Sequence, residues 1–248
     1  MLRNIKEITG YRLQALDGEI GHCKDFLFDN QHWNVRYMVA DTGKWLPGRK
    51  VLVSQVSLGE PDWSFRLFSV KLTKEQVEHC PSLHSDAPVS RQYEMKYHKH
   101  YGLPHYWSEF VVKGGIAYPD LPYAEKKAAV DTAEPESGDD HLGSAHEMTG
   151  YHIHASDGEI GHVEDFIVDD DTWTMHYLVV DTRNWLRGRK VLVAPTWIDS
   201  VDWGKNKVIV DLTRKQVKNS PEYDRSAPVN REYETRLYDS YGRSKYLK

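Results

Sequence analysis

Over the first hundred positions, large apolar and β-branched residues come in short runs: YRLQAL at 11–16, IGHCKDFLFD at 20–29, WNVRYMVAD at 33–41, KVLVSQV at 50–56 and SFRLFSVKL at 64–72. Runs of this length, with Gly, Asp, Asn and Pro between them, read as β-strands. Asp17-Gly18 is a two-residue hairpin signal. Asp29-Asn30-Gln31 marks the next reversal, because Asp and Asn bond to their own backbone in turns. Five strands in a meander, with no helix between them, predict a small antiparallel barrel or sandwich. After the last strand, Thr73-Lys74-Glu75-Gln76 fits a capping box and predicts a short helix ending near Pro81. A second helix is expected over 91–101.

The whole pattern returns 140 positions later. YRLQALDGEIGHCKDFLFD at 11–29 becomes YHIHASDGEIGHVEDFIVD at 151–169, and the stretch from Trp33 to Val53 returns as Trp173 to Val193 without a gap. Of the 93 positions from Gly10 to Gly102, 41 are identical to their partners. The second copy also carries its own hairpin signal, Asp157-Gly158, and its own capping box, Thr213 to Gln216. The chain is a tandem duplication of a unit of about 100 residues, a size that folds independently.

Charge adds one feature. The formal net charge is −5, and the segment 125–147 alone holds seven acidic residues against Lys126 and Lys127, so the remainder sums to zero. That segment is rich in Ala, Glu, Asp, Pro, Ser and Gly and reads as a solvated linker over 119–147. Without a basic excess, a nucleic-acid partner is not expected. No stretch approaches the ~18 apolar residues of a membrane span, and the start MLRNIKEITG lacks the apolar region of a secretory signal. Two cysteines, Cys23 and Cys80, are too few for a disulfide framework. The expected location is the cytoplasm, with a membrane-peripheral position as the alternative.

The residues with chemical potential each carry a structural reading beside the functional one. Gly48-Arg49-Lys50 and Gly188-Arg189-Lys190 offer a contact for an anion or acidic partner. The plainer role is a glycine turn whose basic pair lines the solvent side of a strand start. Asp41 and Asp181 end the preceding strand, where a rim salt bridge to that arginine is expected. His22 and His162 are the histidines kept in both copies, beside Asp25 and Asp165, and read as partly buried, hydrogen-bonded side chains. His79, Cys80 and His84, and His98, His100 and His105, have ligand chemistry. The second copy has Asn219, Ser220, Asp224 and Tyr238, Ser240, Lys245 there, which excludes a duplicated metal site, and no metal is expected. Asp169-Asp170-Asp171 lacks the spacing of a calcium loop and reads as a polar turn. No nucleophile elbow, phosphate-binding glycine loop or CxxC pair is present, so no catalytic residue, no cofactor and no enzymatic activity are expected. Trp33/Trp173, Trp45/Trp185 and Trp63/Trp203 are matched pairs and predict core or rim packing. Trp107, unmatched like Trp197, is either an exposed anchor for a partner or folds back on its own barrel. Phe65-Arg66-Leu67 faces Lys205-Asn206-Lys207 in the alignment, so the fifth strand's surface is expected to be apolar in the first unit and basic in the second. Phe65 and Leu67 thus join Arg49, Lys50, Arg189, Lys190 and Trp107 as candidate interaction residues.

The succession DGEIGHxxDFxxD, YxVxDT with WLxGRKVLV, and LTxxQV with its proline resembles the PRC-barrel family. That barrel is shared by the cytoplasmic domain of the photosynthetic reaction centre H subunit and the C-terminal half of a ribosome maturation factor. The likeness covers about 10–81 and 150–221. It implies a mainly β protein of two tandem small antiparallel barrels at 1–80 and 148–220, each followed by short helical segments at 81–118 and 221–248, with the acidic linker between. It implies a non-catalytic module that docks on other proteins. A membrane-peripheral accessory of a reaction-centre-like electron-transfer complex and a ribosome-assembly factor are the alternatives. Two barrels in one chain are expected to pack as a pseudo-twofold pair or to form a homodimer.

Overall fold

The computed structural model describes residues 1–43, 45–81, 89–107, 141–182 and 188–243. The greater part of the expected linker lies outside them, as do His84, Trp185 and Lys245. The first unit contains β1 (Leu2–Asn4), α1 (Ile5–Ile8), β2 (Arg12–Ala15), β3 (Gly18–Asp29), β4 (Val35–Asp41), β5 (Lys50–Ser54), β6 (Leu58–Asp62), β7 (Leu67–Val70), α2 (Lys74–Glu78) and α3 (Arg91–Tyr101). The second repeats them as β8 (Leu142–Ser144), α4 (Ala145–Met148), β9 (His152–Ala155), β10 (Gly158–Asp169), β11 (Met175–Asp181), β12 (Lys190–Val193), β13 (Ile198–Asp202), β14 (Lys207–Val210), α5 (Arg214–Asn219) and α6 (Arg231–Ser240).

Both capping boxes form: Gln76 N–H donates to Thr73 Oγ1 at 3.2 Å while Thr73 N–H donates to Gln76 Oε1 at 2.9 Å, and Thr213 and Gln216 do the same. Asp17 in the hairpin turn also accepts the Lys74 N–H at 2.7 Å, so one turn residue ties the first strand pair to the helix. Asp157 repeats this with Arg214 N–H.

Each unit is a seven-stranded mixed sheet, with paths β5-β4-β3-β2-β7-β6 and β12-β11-β10-β9-β14-β13 plus one short strand on β3 or β10. Two details differ from the expected antiparallel barrels. Hydrogen bonding does not close either path, which ends at β5 and β6 or at β12 and β13. And β2–β7 and β9–β14 pair parallel, because the chain reverses an even number of times between them. The expected fifth run is divided: its leading residues form the turn of a β6–β7 hairpin whose first strand, LGEPD, is poor in strand-forming residues. Gly21 and Gly161 mark bulges in the hairpin ladders. Their φ values are +125° and +141°, and a Cβ there would stand 2.0 or 2.1 Å from the carbonyl oxygen of Asp41 or Asp181, so only glycine fits.

The two units exchange their first strands. β1 pairs antiparallel with β10 of the second unit (Leu2↔Asp169, Asn4↔Ile167), and β8 pairs with β3 of the first (Leu142↔Asp29, Ser144↔Leu27). Between them Asn34 bridges Thr174, with Val35 N–H donating to Trp173 carbonyl and Met175 N–H to Trp33 carbonyl, each at 2.8 Å. These bonds hold Trp33 and Trp173 at φ +57° and +58°, a left-handed conformation that costs about 1–2 kcal/mol per non-glycine residue. One apolar core runs through both units: Phe26 stacks on Trp173 (5.6 Å between centroids) and Phe28 meets Phe166 (6.0 Å) and Trp203 (6.4 Å). Ile5 and Ile8 on α1, and Ala145 and Met148 on α4, are buried in that core. An isoleucine moved from water to such a site contributes roughly 1.5–3 kcal/mol, so each exchanged arm is held by packing as well as by its strand bonds.

Candidate functional site

Some of the polar groups kept in both copies hold this arrangement. Asp25 and Asp165 receive the exchanged arms. Asp165 accepts Asn4 Nδ2 at 3.0 Å, Lys6 N–H at 3.1 Å and Phe166 N–H at 2.8 Å, with Arg225 at 3.3 Å. Asp25 accepts Ser144 Oγ at 2.6 Å, His146 N–H at 2.9 Å and Phe26 N–H at 2.7 Å. Burial pushes both carboxyls above the ordinary range, and these donors only partly offset it. Around the second receptor, Tyr223 donates to Asn4 Oδ1 at 2.8 Å and Arg225 bonds Glu7 at 3.1 Å. Sequence reading placed these aspartates beside the histidines only. Asn4 and Lys6, and Ser144 and His146, come from the other unit, and nothing in the local pattern points there. His22 itself is exposed, and His162 is half-buried.

Arg49 and Arg189 are half-buried and bond inside the fold, rather than lining the solvent side of a strand start. The Arg49 guanidinium donates to the carbonyls of Glu78 (2.6 Å) and Cys80, and Arg189 to those of Lys218 (2.8 Å) and Ser220. Each thus satisfies the open carbonyls at the end of α2 or α5, a task that suits its fork of donors. The expected rim salt bridge is not made by Arg49: Asp41 faces Lys24 at 3.9 Å and accepts Gly43 N–H. Lys190 pairs with Glu164 at 2.7 Å, and Lys50 opens β5 half-buried opposite Asp41.

A buried polar network sits where α3 meets the start of the second unit. Glu94, fully buried, accepts Arg91 Nη1 at 3.1 Å and Tyr106 O–H at 2.8 Å, and meets His141 Nε2. His98 Nδ1 lies 2.7 Å from the Pro104 carbonyl, which can only accept, so the ring's proton is on Nδ1 and Nε2 accepts the Tyr37 O–H at 2.7 Å. That arrangement is a neutral imidazole, and burial lowers the His98 pKa to about 4. Trp107 folds back: it stacks on His105 (4.6 Å) and lies under the Arg91 guanidinium (4.2 Å), while Tyr106 lies under Arg36 (4.1 Å). It is not the exposed anchor. Both ring nitrogens of His98 are thus hydrogen-bonded, His79 bonds the Glu75 carbonyl, and Cys80 is buried with its thiol pushed up by burial. Asp169 accepts Asp171 and Thr172 N–H groups, as a polar turn does, and Asp170 pairs with Arg3 at 3.2 Å.

Two features among the described residues are open to a partner. Phe65 is 70% exposed at the β6–β7 tip, with Leu67 half-buried at the start of β7. The tip turns at Arg66 (φ +52°), as the second turns at Asn206 (φ +52°), so Phe65 and Lys205 are turn residues and not part of the last strand. The second feature is a groove of about 630 Å³ that crosses the boundary between units, lined by Gln31 to Trp33 of the first and by Met175, Ile198 to Val201 and Trp203 of the second.

Comparison with known families places part of this structure. Residues 143–217, from β8 through most of α5, match the PRC-barrel domain. No curated protein matches the chain. The chain therefore contains a PRC-barrel domain in its second half, and the sheet of its first half has the same strand order. No helix among the described residues is long and apolar enough to cross a membrane.

Proposed function

We propose that the chain is a non-catalytic protein-interaction module made of two PRC-type units, the first being a second copy of the matched domain, locked into an internal pseudo-dimer. The observation that carries this reading is where the duplicated polar residues go. Asp17, Asp25, Thr73, Gln76 and Arg49, with their partners 140 positions on, all bond within the fold. What selection would see in such residues is a rigid body, and a rigid body displaying a groove and an apolar hairpin tip suits recognition. A tagged full-length chain recovered from its native host under gentle lysis, with membrane and other fractions separated, tests this. One stoichiometric protein partner is the expected result. A partner confined to an electron-transfer complex or to ribosomal particles would select one of the specialised alternatives, and recovery of the chain alone from every fraction would contradict the module.

A further inference from the structure

The groove between the units runs along an open strand edge. β13 is the last strand of its path and is hydrogen-bonded only to β14, and Ile198, Asp199, Ser200 and Val201 of β13 line the groove. The duplication shows which way this edge presents its donors. In the first unit the position equivalent to Val201 is Pro61, and both occupy the same ladder position: Pro61↔Phe68 and Val201↔Val208. A proline has no N–H to give to a neighbouring strand and is accommodated only where the N–H would point away from the ladder. Val201 at that position therefore directs its N–H away from β14, to the free edge. Proline, and a Gly-Glu pair before it, blunt the edge in the first unit, and the second copy lacks that protection.

We infer that the β13 edge is a strand-addition site for an extended segment of a protein partner that carries a basic side chain for Asp199 and an apolar one for the Trp33 and Trp203 floor. This rests on the interaction-module reading and names the partner's chemistry. Asp199 is the one carboxylate among the groove's lining residues, is exposed, and has no ion pair or hydrogen bond among the described residues, so it favours a lysine or arginine on the occupant. The floor continues the interface between units, with Trp33 buried there and Trp203 packed against the common core. Main-chain bonds to the edge supply affinity, and alternate side chains supply specificity.

The test is built into the repeat. A phage-displayed library of random short peptides is selected on the full-length chain, and the selected peptides are synthesised, labelled and titrated by fluorescence anisotropy. Val201→Pro installs the residue that the first copy already tolerates, so the fold is kept while one edge donor is removed. Binding is expected to weaken by at least roughly tenfold in Val201→Pro, and Asp199→Lys is expected to weaken peptides that carry a basic residue and spare those that do not. Amide exchange at Val201 in the intact chain is a second readout, and it slows on peptide binding if the edge is used. Peptides that bind Val201→Pro and the parent equally, with no protection at Val201, would overturn the edge site yet leave the interaction module standing with its surface elsewhere. Failure of any peptide to be retained would overturn the edge site, and the recovery experiment above would then decide the module separately.

Discussion

Replacing Asp165 by alanine tests the exchange of arms at its most connected point. The carboxylate accepts from three groups that its own strand does not supply: the Asn4 amide, the Lys6 N–H and the Arg225 guanidinium. Hydrogen bonds to a charged acceptor are worth about 1.5–3 kcal/mol each, and a buried amide left without an acceptor costs about 1–3 kcal/mol. Against this, the variant no longer buries a carboxyl whose environment raises its pKa. The net expected loss is about 2–4 kcal/mol, read as a shift in the denaturant midpoint of the full-length chain. The dependence on pH has a definite sign. A carboxyl whose folded pKa lies above the unfolded value of 3.8 contributes stability that is complete below that value and lost as pH rises through the folded one. The difference between parent and Asp165→Ala is therefore larger at pH 4 than at pH 7. A double-mutant cycle with Asn4→Ala should return a coupling of about 1–2 kcal/mol. A loss below about 0.5 kcal/mol, or strictly additive single variants, would show that Asn4 and Asp165 are not partners.

Three further outcomes follow from particular residues. His98 is buried as a neutral ring with its pKa lowered from 6.5 to about 4, so the native state loses stability as pH falls below 6.5; about 2 kcal/mol should disappear between pH 7 and pH 5, and a His98→Gln variant should lack that part of the slope in urea titrations. Gly21→Ala and Gly161→Ala each drive a Cβ into a backbone carbonyl at positive φ and should cost more than about 3 kcal/mol, measured by thermal or chemical melting. Phe65→Lys combined with Leu67→Lys should change association with a partner while the circular dichroism spectrum stays that of the parent; global unfolding of the variant would show that this tip is structural.

Most of the strands, both capping boxes and the helix over 91–101 were legible because each is written in consecutive residues: short apolar runs, Asp-Gly turns, Thr-x-x-Gln caps. The exchange was not. Leu2 to Ile8 and Leu142 to Met148 are too short to show a period, and their partner strands are fixed by tertiary packing across the boundary. β6 escaped for a different reason, since Gly59 and Pro61 contradict strand propensity on an edge where neither is costly. Among the candidate site residues, Arg49 and Arg189 were visible as a matched pair, but their acceptors are main-chain carbonyls and leave no mark in composition. Glu94 sits on a polar helix, and only the converging Arg91, Tyr106 and His141 explain how a carboxylate there is fully buried.

The central claim, that two units are one body through reciprocal strand exchange, is tested most directly by cutting the chain between them. A protease site placed in the segment 119–140 of the full-length protein, cleaved and followed by native mass spectrometry and size-exclusion chromatography, should leave the halves together as a one-to-one complex that unfolds in a single transition. Two separate monomeric halves, each of normal stability, would contradict it.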